Sequence, residues 1–327
     1  MKKLFIIVLL ITIPVSIFAQ EGKIGTAGAQ LLKIGLSARA TGMAGAYNAV
    51  VDNAEAIFWN PGALAQVQGN DVTGSYVQWP ADIVYSGVAL ATNIEGVGVL
   101  GFHVAGLKAG DMRVRTLSYP EGNGQMFSAS QFVGGISYST FLTDRFAIGA
   151  TWKYIQEDFH EFTSKNWAVD IGTYYHTGFR SLVIGMSIMN FGPESEFNGS
   201  YFDYSDPAEG GVGYEEKDFT PYNLPLTFNF GLSMNVYETE DIKVLTALDT
   251  NKPNDNEQRV NAGVEFSFID MLALRGGYNV NYDEHTFTFG AGFKYNLFRT
   301  ANIRIDYSYG DLGVLDVVHR GSFGLSF

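Results

Sequence analysis

From Asp71 to the C-terminus the chain repeats one pattern, runs of roughly ten residues in which apolar and polar side chains alternate. Leu226, Phe228, Phe230, Leu232, Met234 and Val236 interleave with Thr227, Asn229, Gly231, Ser233 and Asn235. Phe287, Phe289, Ala291, Phe293 and Tyr295 interleave with Thr288, Gly290, Gly292 and Lys294 in the same way. A period of two sends one set to each face of a β-strand. Read through the chain, it predicts fourteen strands, at 71–77, 83–91, 97–107, 128–140, 145–157, 166–177, 181–190, 226–237, 241–250, 258–268, 271–281, 285–296, 301–309 and 317–327. A soluble sandwich shows the same alternation, so the connectors decide. From the third strand on, longer ones (108–127, 158–165, 191–225, 251–257) alternate with short ones (141–144, 178–180, 238–240, 269–270). That asymmetry belongs to outer-membrane barrels, with short periplasmic turns and longer external loops. The expected fold is all-β, a 14-stranded antiparallel transmembrane barrel with both termini on the periplasmic side. Met112 to Leu117 reads as a hairpin arm within a loop rather than a fifteenth strand.

The N-terminus fits an exported chain. Lys2 and Lys3 precede an apolar run from Leu4 to Ile13, and Ala19 offers a small residue for cleavage, so residues 1–19 read as a secretory signal peptide. Residues 20–327 then form the mature protein, with 20–70 an N-terminal segment and 71–327 the strands. The chain has no Cys, which excludes a disulfide framework. A formal net charge of −13 disfavours nucleic acid as a partner, because phosphate contacts need Lys and Arg. The 25 Phe, 18 Tyr and 38 Gly suit many short strands with aromatic residues facing outward.

Between leader and strands lies Ser37 to Ala65, rich in Ala and Gly. Ala40, Met43, Ala44 and Tyr47 recur at helical spacing, Asp52 and Asn53 are placed to cap a second turn, and Asn60-Pro61-Gly62 forces a turn after Ile57-Phe58-Trp59. Short helices like these are marginal without packing partners, so a surrounding shell is required. Gly42-Met43-Ala44-Gly45-Ala46-Tyr47, Val51-Asp52-Asn53-Ala54 and Asn60-Pro61-Gly62, preceded by Gly25 to Leu32 and Arg39-Ala40, resemble the N-terminal hatch of FadL-type outer-membrane barrels. The resemblance is closest to their PorV/PorQ branch in bacteria of the Bacteroidetes type. It covers roughly residues 22–65. The usual motif is Asn-Pro-Ala, and Gly62 in place of Ala reads as a minor change. The resemblance implies a hatch plugging the lumen, with Gly42, Gly45, Tyr47, Asp52, Trp59, Asn60 and Pro61 as its residues. For function it implies a component of the type IX secretion apparatus that binds the C-terminal domains of exported cargo and hands them on. The alternative is FadL-like passive transport of hydrophobic small molecules.

Two early strands, 83–91 and 97–105, are apolar on both faces, which predicts that their inner face meets the hatch or an apolar ligand. Elsewhere the inward charges Arg259, Glu265, Arg275, Lys294, Arg304, Asp306 and Arg320 read as a salt-bridged filling that anchors the hatch, or as a substrate path. The 191–225 loop sets Tyr201, Phe202, Tyr204, Tyr214, Phe219 and Tyr222 among acidic residues, a composition suited to docking a partner protein or bridging to lipopolysaccharide. The final strand, with Phe323 and the terminal Phe327, resembles the assembly signal of outer-membrane barrels. No enzyme signature, cofactor motif or metal-ligand spacing is present; the five His are scattered over separate strands and loops.

Overall fold

The computed structural model describes residues 24–116, 118–203, 215–282, 286–297, 301–313 and 316–327. The proposed signal peptide, Tyr204, Tyr214 and His285 lie outside them. Fourteen antiparallel strands close into one barrel: β1 (Asn70–Trp79), β2 (Ile83–Ile94), β3 (Gly98–Lys108), β4 (Ala129–Thr143), β5 (Phe146–Phe159), β6 (Phe162–His176), β7 (Val183–Phe191), β8 (Thr227–Glu238), β9 (Ile242–Pro253), β10 (Arg259–Phe268), β11 (Leu272–Val280), β12 (Phe287–Leu297), β13 (Ala301–Asp311) and β14 (Val317–Ser326). Each strand pairs with its neighbours in sequence, and β1 closes on β14 from Asp71 opposite Ser326 to Gln78 opposite His319. Closure leaves no unpaired edge, the condition for a sheet to stand in lipid. No helix among the described residues is long and apolar enough to cross a membrane.

The alternation sorts as the sequence predicts. Phe102, Ile136, Trp152, Trp167, Phe228 and Phe289 point outward and are exposed, whereas Ser137, Thr151, Thr288 and Ser308 point inward and are buried. Met112–Arg113 pairs with Met126–Phe127 in a small separate sheet, so this stretch is a loop hairpin and not a barrel strand. A second such hairpin, Ser200–Asp203 with Glu215–Asp218, stands in the 191–225 loop.

Two expectations are corrected. The 158–165 connector is not a longer loop: Phe159 pairs with Phe162, and His160 takes φ 58° in a tight turn. The described segment also does not begin on the side where the C-terminus lies. Asn70 and Phe327 meet at the short-turn end, where their backbones exchange hydrogen bonds of 2.7 and 2.9 Å. Ile24 and Gly25 instead lie at the long-loop end, where Gly25 N donates to Asp255 O and Gly28 N donates to Asn223 O. Residues 24–69 therefore run down through the lumen before β1 begins.

Candidate functional site

The descending segment has three parts. Residues 24–36 form a strap across the long-loop mouth, with a 3₁₀ turn at Gln30–Lys33. It is held by Leu31 N donating to Gln131 Oε1 (3.2 Å), by an ion pair of Lys33 with Asp255, and by Arg320 Nε donating to Gly35 O (3.3 Å). Residues 37–59 carry two short helices, α1 (Ala38–Gly42) and α2 (Ala56–Trp59), and fill the middle. A 3₁₀ turn at Pro61–Gln66 completes the segment at the short-turn end, where Gln66 meets His176.

The resemblance residues are brought together in the lumen. Tyr47 is fully buried and packs edge-on against Trp59, ring centroids 5.8 Å apart. Asn60, fully buried and extended at φ −151°, donates through Nδ2 to Asn48 O (2.9 Å) and Thr173 O (3.0 Å), while its Oδ1 accepts from Gly62 N (3.0 Å). Extended geometry is what a following proline imposes. Gly42 lies against Gly290 of β12, with a Cβ on it 3.1 Å from the Gly290 Cα. Gly45 takes φ 80°, a left-handed conformation that glycine adopts without strain. Helical spacing over Ala40–Tyr47 does not give one continuous helix: α1 stops at Gly42, and Ala44 sits at φ 58°. Nor does Asp52 cap the second turn. Asn53 Oδ1 accepts from Glu55 N (2.8 Å) and Asp71 Oδ1 from Ala54 N (3.0 Å), whereas Asp52 pairs with Arg39 at 2.9 Å.

Gly62 has no room for a side chain. A Cβ on Gly62 would sit 2.6 Å from the backbone of Gly172 and Thr173, and one on Gly149 would sit 2.1 Å from Pro61 O. Hatch and wall meet there backbone to backbone, which leaves no room for an alanine in place of Gly62.

The inner face of β2 and β3 meets the hatch, as their double apolarity suggests. Ile57 and Leu64 pack over Gly101, Leu36 over Gly87, and the Phe58 ring is 5.1 Å from His103. Of the inward charges, Glu265 and Arg320 hold the N-terminal segment to the wall, and Arg275 and Arg304 pair within the wall itself. Arg39 forms a two-pronged pair with Glu265 (2.9 Å each), Arg275 bridges Glu265 (2.6 Å) and Asp306 (2.7 Å), and Arg304 reaches Asp71 at 2.7 Å. Burial opposes the Arg39 charge, but Glu265 and Asp52 hold its guanidinium above the ordinary value. On β9, Asp249 Oδ2 accepts from Tyr47 N (3.0 Å) and Asn48 N (2.9 Å). Lys294 is exposed near the end of β12 and takes no part in this network among the described bonds.

Above the hatch and beneath the strap is a cavity of about 620 Å³. One side is apolar, with Leu32, Ile34, Phe58, Trp79 and Tyr85; the other is polar, with Asn229, Asp249, Asn251, Arg259 and Asn261. Of the polar side the sequence singles out Arg259 alone as an inward charge, although the rest has a signal: inward Asn and Asp at period two on neighbouring strands. A further hollow of about 720 Å³ lies on the outer wall among Gly74, Tyr76, Val88, Phe132 and Phe323, on the lipid face and outside the lumen.

The 191–225 loop divides. Tyr222 turns inward, its hydroxyl donating to Glu157 Oε2 at 2.6 Å and its ring lying against Gly28 of the strap; burial pushes that hydroxyl up to about 12. Phe219 joins Phe162, Phe197 and Tyr201 in an aromatic cluster. Tyr201 and Phe202 are exposed. At the C-terminus, Phe323 and Phe327 both face outward. Among the described residues no group of three or more His, Asp or Glu is placed to hold a metal.

No protein-family model matches the sequence, and no curated protein does. Solved structures do match. The CymD monoaromatic hydrocarbon channel superposes with TM-score 0.58 at 12% identity, over 90% of this chain and 98% of its own. The toluene transporter TodX of Pseudomonas putida gives TM-score 0.57 at 11% identity, over 89% and 97%. A FadL homologue of Pseudomonas aeruginosa gives 0.53 at 10% identity, also over 89% and 97%. The fold of this chain is that of the FadL/TodX-like fourteen-stranded outer-membrane barrels.

Proposed function

We propose that the protein resides in the outer membrane, exported by the leader at residues 1–19, and passes small, largely apolar molecules inward from its long-loop mouth. The observation that carries this reading is the cavity of about 620 Å³ beneath the strap, whose apolar side is continuous with the hatch. Its size falls in the usual range for small-molecule sites, about 300–1,000 Å³. The naming of two structural neighbours as a hydrocarbon channel and a toluene transporter supports it. Residues 37–65 act as the seal that has to yield for passage. The test is uptake of a labelled monoaromatic compound by cells with and without the protein. Faster uptake with the protein is expected; equal rates would sink the reading.

A second reading, the handing-on of secreted cargo that the hatch resemblance implies, is favoured by one observation. Tyr201 and Phe202 stand exposed on an outlying hairpin beside the exposed Glu216 and Asp218. Exposed aromatic residues of this kind suit a protein interface. Capture of cargo C-terminal domains by the wild-type protein, lost in Phe202→Ala, is the result this reading requires.

A further inference from the structure

The polar side of the cavity exceeds what passage of a hydrocarbon needs. Asp249, Asn261 and Asn279 form one register row across β9, β10 and β11, and Asn229, Asn251 and Arg259 form the adjacent row across β8, β9 and β10. Asp249 and Asn261 are only 4% and 5% exposed, yet Asp249 Oδ1 and Asn261 Oδ1 have no hydrogen-bond partner among the described residues. The same holds for four donors, Trp59 Nε1, Trp79 Nε1, Arg259 Nε and Arg320 Nη1. All six of these residues line this one cavity. A buried polar group is costly to leave unpaired, so a set of them gathered on one hollow is a set of recognition groups.

Their mixture of types limits what they recognise. A hydrocarbon pairs with none of them. A carboxylate accepts from the donors but has nothing to give Asp249 Oδ1 and Asn261 Oδ1. A hydroxyl does both, donating one hydrogen bond and accepting others. We propose that the cavity selects a neutral hydroxylated molecule with a cyclic or aromatic apolar body, of the glycoside class. Its hydroxyls lie against Asp249, Arg259 and Asn261, its apolar body lies against Leu32, Ile34 and Tyr85, and Trp79 Nε1 and Arg320 Nη1 on β1 and β14 donate to its remaining oxygen atoms. The inference rests on the passage reading above and narrows it from apolar molecules in general to those with a hydrogen-bonding head.

The protein itself supplies the reporter. Of its four tryptophans, Trp152 and Trp167 face outward at 47% exposure each, while Trp59 and Trp79 line the cavity. With Trp152→Phe and Trp167→Phe, in lipid nanodiscs, fluorescence reads the lumen alone. Phenyl β-glucoside, benzoate and toluene are titrated in parallel. Phenyl β-glucoside is expected to bind about tenfold or more tightly than either of the others, since several unpaired groups are satisfied together. Asn261→Leu is expected to weaken the glucoside about two- to tenfold and not to weaken toluene, since it removes a polar group and adds apolar surface; Arg259→Met, at a side chain with no hydrogen bond to the hatch among the described residues, serves as the second variant with the same expectation. Toluene or benzoate binding as tightly as the glucoside, or both variants leaving the glucoside unaffected, overturns the proposal while the passage reading stands. No response to any of the three overturns both.

Discussion

At the scale of single residues the hatch is held by close approach and by paired polar groups. Gly62→Ala, which restores the usual motif of the resembling family, forces a Cβ to within 2.6 Å of the β6 backbone. It should destabilise hatch docking by about 1–3 kcal/mol, the usual cost of overpacking. Amide exchange across residues 37–65 measures this, and undiminished protection would contradict it. Glu55 makes a pH-dependent contribution. It is 3% exposed, with Ser37 Oγ at 2.6 Å and the Tyr47 hydroxyl at 3.2 Å. Burial pushes its carboxyl above the ordinary value and Asp306 adds to this, against the opposing pull of Ser37, Arg304 and Arg39. The docked hatch therefore holds this proton more tightly than an undocked one. The associated stability is complete below the ordinary carboxylate value and is lost as pH rises through the raised one. Hatch protection should fall over that window in the wild type and not in Glu55→Gln; protection that rises with pH there would refute the assignment.

At the scale of elements, the strands can be tested by the face each side chain occupies. Phe228 and Phe289 are 47% and 58% exposed on the outer wall. An arginine at either position should impair membrane insertion by about 2–4 kcal/mol if it falls at the bilayer midplane. Thr288 accepts from Ala44 N at 2.9 Å, and Asn229 donates to Ser187 at 3.0 Å. Changing these inward residues should loosen the interior and leave insertion intact. Equal insertion defects, read by protease-protected barrel in liposomes, would mean that the register is one residue out. The strands were legible because lipid outside and a polar lumen inside impose a strict period of two. The ends of β5 and β6 were not, because Asp158, Thr163 and Lys165 look like loop although Asp158 pairs with Thr163 and Lys165 with Gln156. The hatch was legible as a compact Ala/Gly segment and as a turn at Asn60-Pro61. Its helix limits were not, because Ala44 at φ 58° lies hard against the wall, its N 2.3 Å from where a Cβ on Gly277 would be. The cavity's polar rows were invisible as a site because they become neighbours only through strand register.

At the scale of the whole molecule, a closed barrel is filled by its own N-terminal segment, entering at the long-loop mouth and reaching the wall at the short-turn end. The barrel ladder does not need that segment to close, since β1 pairs with β14 directly. The hatch in turn uses the wall for its core, with Ile57, Leu64, Tyr47 and Met43 fully or almost fully buried against it. Removing residues 37–65 should therefore leave a barrel that still inserts but has lost its filling. Single-channel recording in planar bilayers is the direct test: the intact protein should be nearly silent, and the deletion should conduct ions in long-lived open steps. Conductance unchanged by the deletion would contradict the placement of this segment as the seal of the lumen.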